Sequence, residues 1–412
     1  MLVIAVIILL WPAPRVPAAA PLAGGPELIA RGAYVAAAAD CVACHTVEGG
    51  REYAGGRAFK LPFGTIYAPN ITPDPQTGIG NWTDGEFLRA VHRGVGRDGR
   101  QLYPAFPYTS YSQMTSEDAL AVKAYLFSLP PVRNQAPPND LAFPFDQRRL
   151  MRFWNILFMP GERFEADPSQ PAEWNRGAYL ATALGHCGEC HTPRNFLYGL
   201  SGKALSGETI QGWTAWNITS DSEHGIGSWS EDELVSYFRD GFAAGRGVAS
   251  GPMKEAVDYS LSKLTPEDRR ALAVYLKTVA PVRSGPVPAD PPQVARDGDP
   301  AKTSGGESNA LGRQVFDGAC ASCHARTGEG LQTPLAALRG LRSVADPAGL
   351  NVMQIVLHGG EARGYPGHAF MPAFRRAYTD SEIAATTNYV IAHFGGQKGS
   401  VTPEDVGRAR GN

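Results

Sequence analysis

The sequence lacks the charge imbalance and the long apolar runs that mark several large classes of protein. In 412 residues, 38 Lys and Arg side chains stand against 40 Asp and Glu side chains, so the net charge is only -2. A basic field for nucleic acid is therefore absent. The sequence contains no G-x-G-x-x-G in a strand–helix setting, no catalytic triad and no carboxylate pair with a clear role. No substrate site of its own can be recognised.

Cysteine is scarce, and its placement is informative. All six cysteines fall in three C-x-x-C-H pentapeptides, so none is left for a structural disulfide. C-x-x-C-H is the attachment signal for c-type haem, in which two thiols bond the porphyrin and the adjacent His ligates the iron. A zinc site or a redox pair is the alternative, but no second ligand pair lies at zinc spacing near the motifs. The sequence predicts three covalent haems c, held by Cys41, Cys44, His45, Cys187, Cys190, His191, Cys320, Cys323 and His324.

The N-terminus is an apolar run of residues 2–11, followed by prolines and by the small residues 18–20. The run is shorter than the ~20 apolar residues of a membrane span. The A-x-A-like end predicts a secretory signal peptide at residues 1–20, with an uncleaved anchor as the alternative. Cleavage after Ala20 would remove Arg15 and no acid, which changes the net charge from -2 to -3. Export agrees with the motifs, because haem c is attached outside the bacterial cytoplasm.

Internal repetition organises the rest of the chain. Three short sequences occur twice at matching places: R-G-A-Y at 31–34 and 176–179, N-I-T at 70–72 and 217–219, and P-V-R at 131–133 and 281–283. We predict a mainly α protein with three tandem class I cytochrome c domains joined by Pro/Gly-rich linkers. The predicted segments are domain 1 at 26–135, a linker with an apolar helix at 136–171, domain 2 at 172–285, a linker at 286–305, domain 3 at 306–396 and a polar tail at 397–412.

Each repeat also offers a methionine as the second axial ligand that an electron-carrying haem needs, since a thioether raises the reduction potential. These residues are Met114 and Met253, each before a helix that Thr115 or Thr265 begins, and Met371, before the last helix. A core position is the alternative for each Met. His92 and His368 are competing ligands, and the place of the methionines before the final helix favours Met.

Residues 148–159 begin with arginines and are strongly apolar on one side thereafter. The pattern predicts a helix. General burial of apolar side chains favours a wedge between the first two domains. The alternative is an exposed surface for a partner, a quinone or a membrane.

The chain resembles the triheme cytochrome c subunit of bacterial membrane-associated dehydrogenases. That family serves quinoprotein alcohol dehydrogenase, flavin-dependent gluconate, sorbitol and fructose dehydrogenases, and some molybdenum aldehyde or N-heterocycle dehydrogenases. The resemblance covers residues 27–396 and rests on residues 31–45, 62–67, 70–74, 94–101 with 103–105, and 174–196. Unlike the family, this chain has no evident C-terminal membrane helix.

The resemblance implies the three His and three Met ligands named above. It also implies a catalytic dehydrogenase subunit (quinoprotein, flavoprotein or molybdoprotein) as partner, ubiquinone as acceptor, and a place on the periplasmic face of the cytoplasmic membrane, peripheral or anchored. The expected function is electron transfer from that subunit to ubiquinone or a respiratory acceptor. A soluble periplasmic shuttle to a terminal oxidase and a multihaem peroxidase or reductase are the alternatives. The peroxidase would need an iron with an open site, whereas all three repeats offer a Met.

Overall fold

The structure is a computed structural model that describes residues 25–287, 307–364 and 367–411. The predicted signal peptide and most of the predicted 286–305 linker lie outside these residues. Helices dominate the described chain, and the strands are short. The mainly α fold class is confirmed.

The described residues form sixteen α-helices. These are α1 Pro26–Ala38, α2 Cys41–Cys44, α3 Asp84–Arg93, α4 Tyr108–Tyr111, α5 Ser116–Ser128, α6 Met151–Phe158, α7 Ala172–Tyr179, α8 Gly188–His191, α9 Glu231–Asp240, α10 Gly251–Tyr259, α11 Pro266–Leu276, α12 Glu307–Val315, α13 Ala321–His324, α14 Leu350–His358, α15 Asp380–Gly395 and α16 Pro403–Gly411. Shorter 3-10 and π segments occur at Arg148–Leu150, Leu180–Leu184, Leu261–Lys263, Phe316–Cys320 and Pro334–Ala336.

Nine short strands pair in antiparallel fashion. They are β1 Ala58–Leu61, β2 Gly64–Tyr67, β3 Asp140–Leu141, β4 Glu208–Ile210, β5 Trp213–Ala215, β6 Phe242–Ala243, β7 Gly247–Val248, β8 Gly360–Gly364 and β9 Gly367–Met371. The first three make one sheet in the order β1-β2-β3, with Ala58 opposite Tyr67, and the other six make three hairpins.

The same helix crossing is built three times. In each repeat a glycine on the first helix lies against the backbone of the last helix. A Cβ on the glycine would stand 1.9, 1.9 or 2.2 Å from a carbonyl oxygen, so no other residue allows this close approach. The pairs are Gly32 with Ala121, Gly177 with Ala271 and Gly312 with Ala385. The repeats predicted from the sequence therefore share the same packing of their first and last helices.

The capped ends of the last helices follow the sequence prediction. Thr115 and Thr265 accept hydrogen bonds from the backbone N–H groups three residues later, at 3.1 and 3.2 Å. Thr379 forms a full capping box with Glu382 in the third repeat. Thr83 caps α3 and forms a capping box with Glu86. The caps fix where each helix begins and so fix the helix crossings relative to the loops before them.

In each of the first two repeats, the N-I-T sequence is hydrogen-bonded to the P-V-R sequence. Asn70 Nδ2 donates to the carbonyl of Val132 at 2.7 Å, and Val132 N–H donates to Thr72 Oγ1 at 3.1 Å. Asn217 and Thr219 hold Val282 in the same way, at 2.6 and 3.2 Å. The buried amide thus ties the chain after the last helix to the loop after the haem motif.

Contacts divide the chain into two compact units. The first contains the described residues up to Ala204 together with Lys263–Tyr275, and the second contains Leu205–Ser262 and the described residues from Leu276 onward. The second repeat therefore contributes to both units. The predicted domain boundaries remain predictions.

Within the second unit the third repeat packs on part of the second. The Asn351 side chain accepts from Thr214 N–H at 2.8 Å and donates to Thr214 O at 3.0 Å. The Arg342 guanidinium donates to the carbonyls of Asn217 and Gly225 at 3.2 and 2.7 Å. Burial lowers the pKa of Arg342 to about 10.

The predicted polar tail contains a helix that the sequence patterns did not predict. In α16, Val406 and Ala409 are buried in a core cluster with Met353, Leu357 and Ile383. Arg410 forms an ion pair with Asp380 at 2.7 Å, which ties α16 to the start of α15. In the described ranges, no helix is both long enough and apolar enough to cross a membrane.

Candidate haem sites

Each C-x-x-C-H motif forms one short helical turn. Helix α2 spans both cysteines of the first motif, while α8 and α13 begin one residue after the first cysteine and end at the His. Residues three apart on a helical turn lie on the same side, so the two thiols of a pair can reach one edge of a porphyrin. All six thiols are free of disulfide bonds.

The backbone orients two of the three histidines that the sequence predicts as proximal ligands. Nδ1 of His45 lies 2.7 Å from the carbonyl of Pro69, and Nδ1 of His324 lies 2.7 Å from the carbonyl of Ala336. Because a carbonyl only accepts, Nδ1 carries the proton and the Nε2 lone pair is left for a metal. Burial lowers the pKa of both imidazoles, which favours the neutral form that ligates.

The zinc and dithiol alternatives find no support in the geometry. Among the residues that the structure describes, no group of three or more His, Cys, Asp and Glu side chains could hold a metal ion. Burial raises the pKa of the Cys41 and Cys187 thiols to about 12. A reactive or zinc-binding cysteine needs the pKa of its thiol lowered. Paired thiols on one turn, beside an imidazole with a free Nε2, fit covalent haem instead.

The three candidate axial methionines do not occupy equivalent places. The helix crossing supplies a common frame, since its Ala lies six residues after the capping Thr in every repeat. Met114 directly precedes its cap, whereas Met371 lies eight residues and Met253 twelve residues before theirs.

The place of Met114 is occupied by Leu264 in the second repeat and Tyr378 in the third. Met114 and Leu264 are buried, and Tyr378 packs against a core cluster. A buried apolar residue just before an N-cap is typical of a hydrophobic staple. The position of Met114 therefore also fits a role in packing, and its role as an iron ligand stays a prediction.

Met253 and Met371 lie inside regular elements of secondary structure. Met253 is the third residue of α10, which Pro252 helps to begin. Met371 ends β9 and packs, partly buried, against the core cluster around Leu357. The side chain of the competing His368 lies outside the described part of the chain.

His92, the other competing ligand, is hydrogen-bonded to an arginine instead. It is fully buried in α3, and its Nδ1 accepts from the Arg163 guanidinium at 2.6 Å. Arginine is always a donor, so the proton of a neutral His92 is on Nε2 and no lone pair remains for an iron. Burial, with the charge of Arg163, lowers the pKa of His92 to about 3.

A reciprocal set of contacts joins the first repeat to the part of the second that lies in the same unit. Asp118 accepts from Arg31 of its own repeat at 2.9 Å and from Tyr179 of the second repeat at 2.7 Å. Asp268 accepts from Arg176 of its own repeat at 2.8 Å and from Tyr34 of the first at 2.6 Å. We call these six residues the reciprocal clasp. The sequence contains R-G-A-Y twice, but no local pattern indicates that each Tyr reaches the other repeat.

The first two attachment turns also approach each other. Tyr111 donates its hydroxyl proton to the carbonyl of Ala39 at 2.6 Å, and its ring lies 5.7 Å from the ring of His186. Glu189, inside the second motif, accepts from Thr109 Oγ1 at 2.7 Å and from Arg194 at 2.7 Å. The loop around α4 thus touches the residues beside both motifs.

Comparison with known proteins identifies a family and several relatives. The cytochrome c family matches residues 29–130 and 309–392. The chain is 38% identical over 401 residues to the fructose dehydrogenase cytochrome subunit of Gluconobacter japonicus, covering 93% of this chain and 82% of that protein. It is 36% identical over 402 residues to the gluconate 2-dehydrogenase cytochrome c subunit of Pantoea cypripedii, covering 93% and 89%.

A third relative is longer. A subunit of the nicotinate dehydrogenase of Pseudomonas putida is 40% identical over 396 residues, which are 94% of this chain but 32% of that protein. The chain therefore spans about a third of that relative's length.

The crossed helices, the C-x-x-C-H turns and the oriented imidazoles define a c-type cytochrome, an electron-transfer protein with covalently bound haem c. Within that class, the chain belongs to the family of cytochrome c subunits of dehydrogenases.

Proposed function

We propose that this chain is the electron-transfer subunit of a periplasmic, membrane-associated dehydrogenase. It receives electrons from a catalytic subunit and passes them to ubiquinone or another respiratory acceptor. The observation that carries the proposal is the threefold occurrence of an attachment turn, each in a repeat with the same glycine helix crossing.

The proposal assigns one haem to each turn, three in all. Haem c bound there supplies one-electron redox chemistry. The thiols of each turn would hold it, and His45, His191 and His324 would ligate its iron from one side. Met114, Met253 and Met371 would be the candidates for the second ligand of each iron. The polypeptide fixes the ligands, excludes water and sets the distance between the haem sites.

A dehydrogenase partner is supported by the names of the relatives, which are cytochrome subunits of fructose and gluconate dehydrogenases. A quinone acceptor is supported by a relative named as the cytochrome c subunit of a quinone alcohol dehydrogenase. A small cavity lies beside the second attachment turn, with Trp154, Phe158 and Leu200 on its apolar side and Thr109, Glu189 and Arg194 on its polar side.

The test is co-purification from native membranes. Membranes carrying the tagged chain are washed with about 1 M salt, which screens surface charge. A subunit stays with a dehydrogenase activity and is reduced when that enzyme's substrate is added. A chain that leaves in the wash and is reduced only by an added soluble donor is a shuttle, and the proposal fails.

A further inference from the structure

The residue that precedes the C-x-x-C-H motif has a left-handed backbone in the first two repeats. Asp40 precedes the first motif with a φ of 52°, and His186 precedes the second with a φ of 38°. Asp and His enter this region more readily than most residues with a Cβ, but it remains unfavourable for them. In the third repeat, Ala319 takes this place inside the helical segment Phe316–Cys320. The unusual backbone therefore belongs to the first two motifs and not to the third.

Both left-handed residues reach the other repeat. Burial lowers the pKa of the His186 imidazole, while the charge of Glu189 and a backbone hydrogen bond to Ala39 of the first repeat oppose this effect. In the other direction, burial raises the pKa of the Cys190 thiol to about 11, and the charge of Asp40 contributes to the increase. The residue before each motif therefore acts on the chain at the other motif.

Tyr111 lies between the two motifs. Its hydroxyl donates to the carbonyl of Ala39 at 2.6 Å, and its ring meets the ring of His186 edge-on, with the centroids 5.7 Å apart. Burial raises the pKa of Tyr111, and the thiols of the first motif and the carboxylate of Glu189 in the second motif add to that increase. One buried tyrosine thus contacts the residue beside the first motif and the residue beside the second.

We propose that Tyr111 and His186 are positioning residues that hold the first two haem sites against each other, with the cysteine-bonded edges turned toward this contact. The inference rests on the haem assigned to each attachment turn in the proposed function. The cysteines of a motif bond one edge of the porphyrin, and the charged and thiol groups of both motifs act on this one tyrosine. The placement of one redox site relative to the next is what the polypeptide contributes to electron transfer.

A purely adhesive role does not account for the contact. The reciprocal clasp already joins these repeats through the hydrogen bonds of Asp118 and Asp268. The left-handed backbone of His186 is unfavourable, and such a conformation persists only where the surroundings hold it in place. The surroundings here are the approach to the first motif and a tyrosine of the first repeat.

Circular dichroism in the Soret band of the reduced, full-length holoprotein tests the proposal. Two like chromophores that are close together in a fixed orientation give a bisignate signal, and its amplitude falls as they separate. We expect the wild type to show this signal. Cys187→Ala/Cys190→Ala should abolish it by removing one member of the pair. Cys320→Ala/Cys323→Ala should keep it, because both members remain.

Two replacements at the contact leave every cysteine and every candidate iron ligand in place. Tyr111→Phe removes the hydrogen bond to Ala39 and keeps the ring, and His186→Asn removes the ring but suits a left-handed backbone. We expect each variant to lose part of the bisignate amplitude and the double variant to lose most of it. Three haems per chain and the absorption spectrum of the wild type should remain.

The matched control for the tyrosine is Tyr108→Phe. It removes a buried hydroxyl from the same helix α4, but that hydroxyl donates to Asn155 at 2.8 Å instead of to the approach to a motif. The control for the histidine is His224→Asn, whose ring lies against Asp221. Both controls should keep the full amplitude.

A wild type without the bisignate signal would overturn the proposal, and so would unchanged amplitude in the double variant. An equal loss in Tyr108→Phe would assign the effect to a general loosening of α4 and would overturn the proposal too. The signal is measured on the isolated chain. Failure of co-purification with a dehydrogenase would therefore contradict the proposed function alone.

Discussion

His45 and His324 show how single residues prepare a haem site before any iron is considered. Each ring is held by a carbonyl that lies downstream of the motif, at Pro69 or Ala336. The carbonyl fixes the tautomer and the ring plane together, so the ligand loses little freedom when it binds. C-x-x-C-H identified these residues from sequence, but nothing in the sequence identifies the carbonyl, which only the fold of the loop brings near.

Met114→Leu is the most informative single replacement. If Met114 is a sixth ligand, the variant loses about a third of the weak thioether-to-iron absorption, and one haem falls in potential. The swap conserves volume, so stability should change by less than about 1.5 kcal/mol. Visible spectroscopy and a redox titration measure both effects.

The control is Met353→Leu, a buried Met in the core of the third repeat that should leave the spectrum as it is. An unaltered spectrum in Met114→Leu as well would assign Met114 to packing, the role that Leu264 has at the same place. The first repeat would then need a different sixth ligand or would lack one.

At the scale of elements, the helix crossing sets the fold, and its glycine is the most demanding position. Gly32→Ala places a methyl group 1.9 Å from the carbonyl oxygen of Ala121, so α1 and α5 must separate. We expect a loss of about 2–3 kcal/mol in the free energy of unfolding. Thermal unfolding followed by circular dichroism measures it.

Gly85→Ala is the matched control, because a Cβ at this helical glycine of α3 meets nothing within 4 Å. It should stabilise the protein by about 0.5–1 kcal/mol through helix propensity. Equal behaviour of the two variants would show that the crossing does not need its glycine.

Sequence patterns predicted where helices lie better than they predicted which residues pack against them. The caps Thr115 and Thr265 were found because a Thr followed by acids is a local signal that needs no tertiary partner. Helix α6 was predicted, but its amphipathic pattern could not say what covers the apolar side, because that depends on residues about 40 positions away. Helix α10 was missed because Gly251 and Pro252 look like a loop, although Pro is common in the first turn of a helix. Helix α16 was not predicted because its composition is polar.

At the scale of the molecule, the reciprocal clasp joins the first repeat to the part of the second repeat that lies in the first unit. Each Asp accepts from an Arg of its own repeat and a Tyr of the other, so neither half is complete without both. The clasp lies in the same unit as the contact between the first two attachment turns. The clasp and that contact together hold the residues beside the first two C-x-x-C-H motifs within one unit.

Tyr34→Phe removes one hydroxyl from this arrangement and keeps the ring. A hydrogen bond to a charged group is worth about 1.5–3 kcal/mol, and Arg176 remains bonded to Asp268, so we expect a loss of about 1–2 kcal/mol. Limited proteolysis should become faster, while haem content stays the same. Tyr259→Phe, at an exposed tyrosine, is the control. Identical proteolysis of all three proteins would mean that the clasp is not a stabilising contact.

The clasp should also weaken in acid. Burial alone would raise the pKa of Asp268, but the hydrogen bonds from Arg176 and Tyr34 outweigh it, and the pKa is lowered. A carboxyl whose pKa is lowered by folding contributes stability above its ordinary pKa of about 4 and loses it as the pH falls through the lowered value. The stability difference between wild type and Tyr34→Phe should therefore shrink as the pH falls below about 4. A constant difference across that range would contradict the role given to Asp268.

The central claim is that each of the three attachment turns carries one covalent haem. Acid-acetone extraction of the mature protein removes any haem that is not covalently bound, and the pyridine haemochrome then counts what remains on the chain. The account predicts three haems per chain, and two after Cys320→Ala/Cys323→Ala. A wild-type count of two or fewer would contradict it, because at least one C-x-x-C-H turn would then have a purpose other than electron transfer.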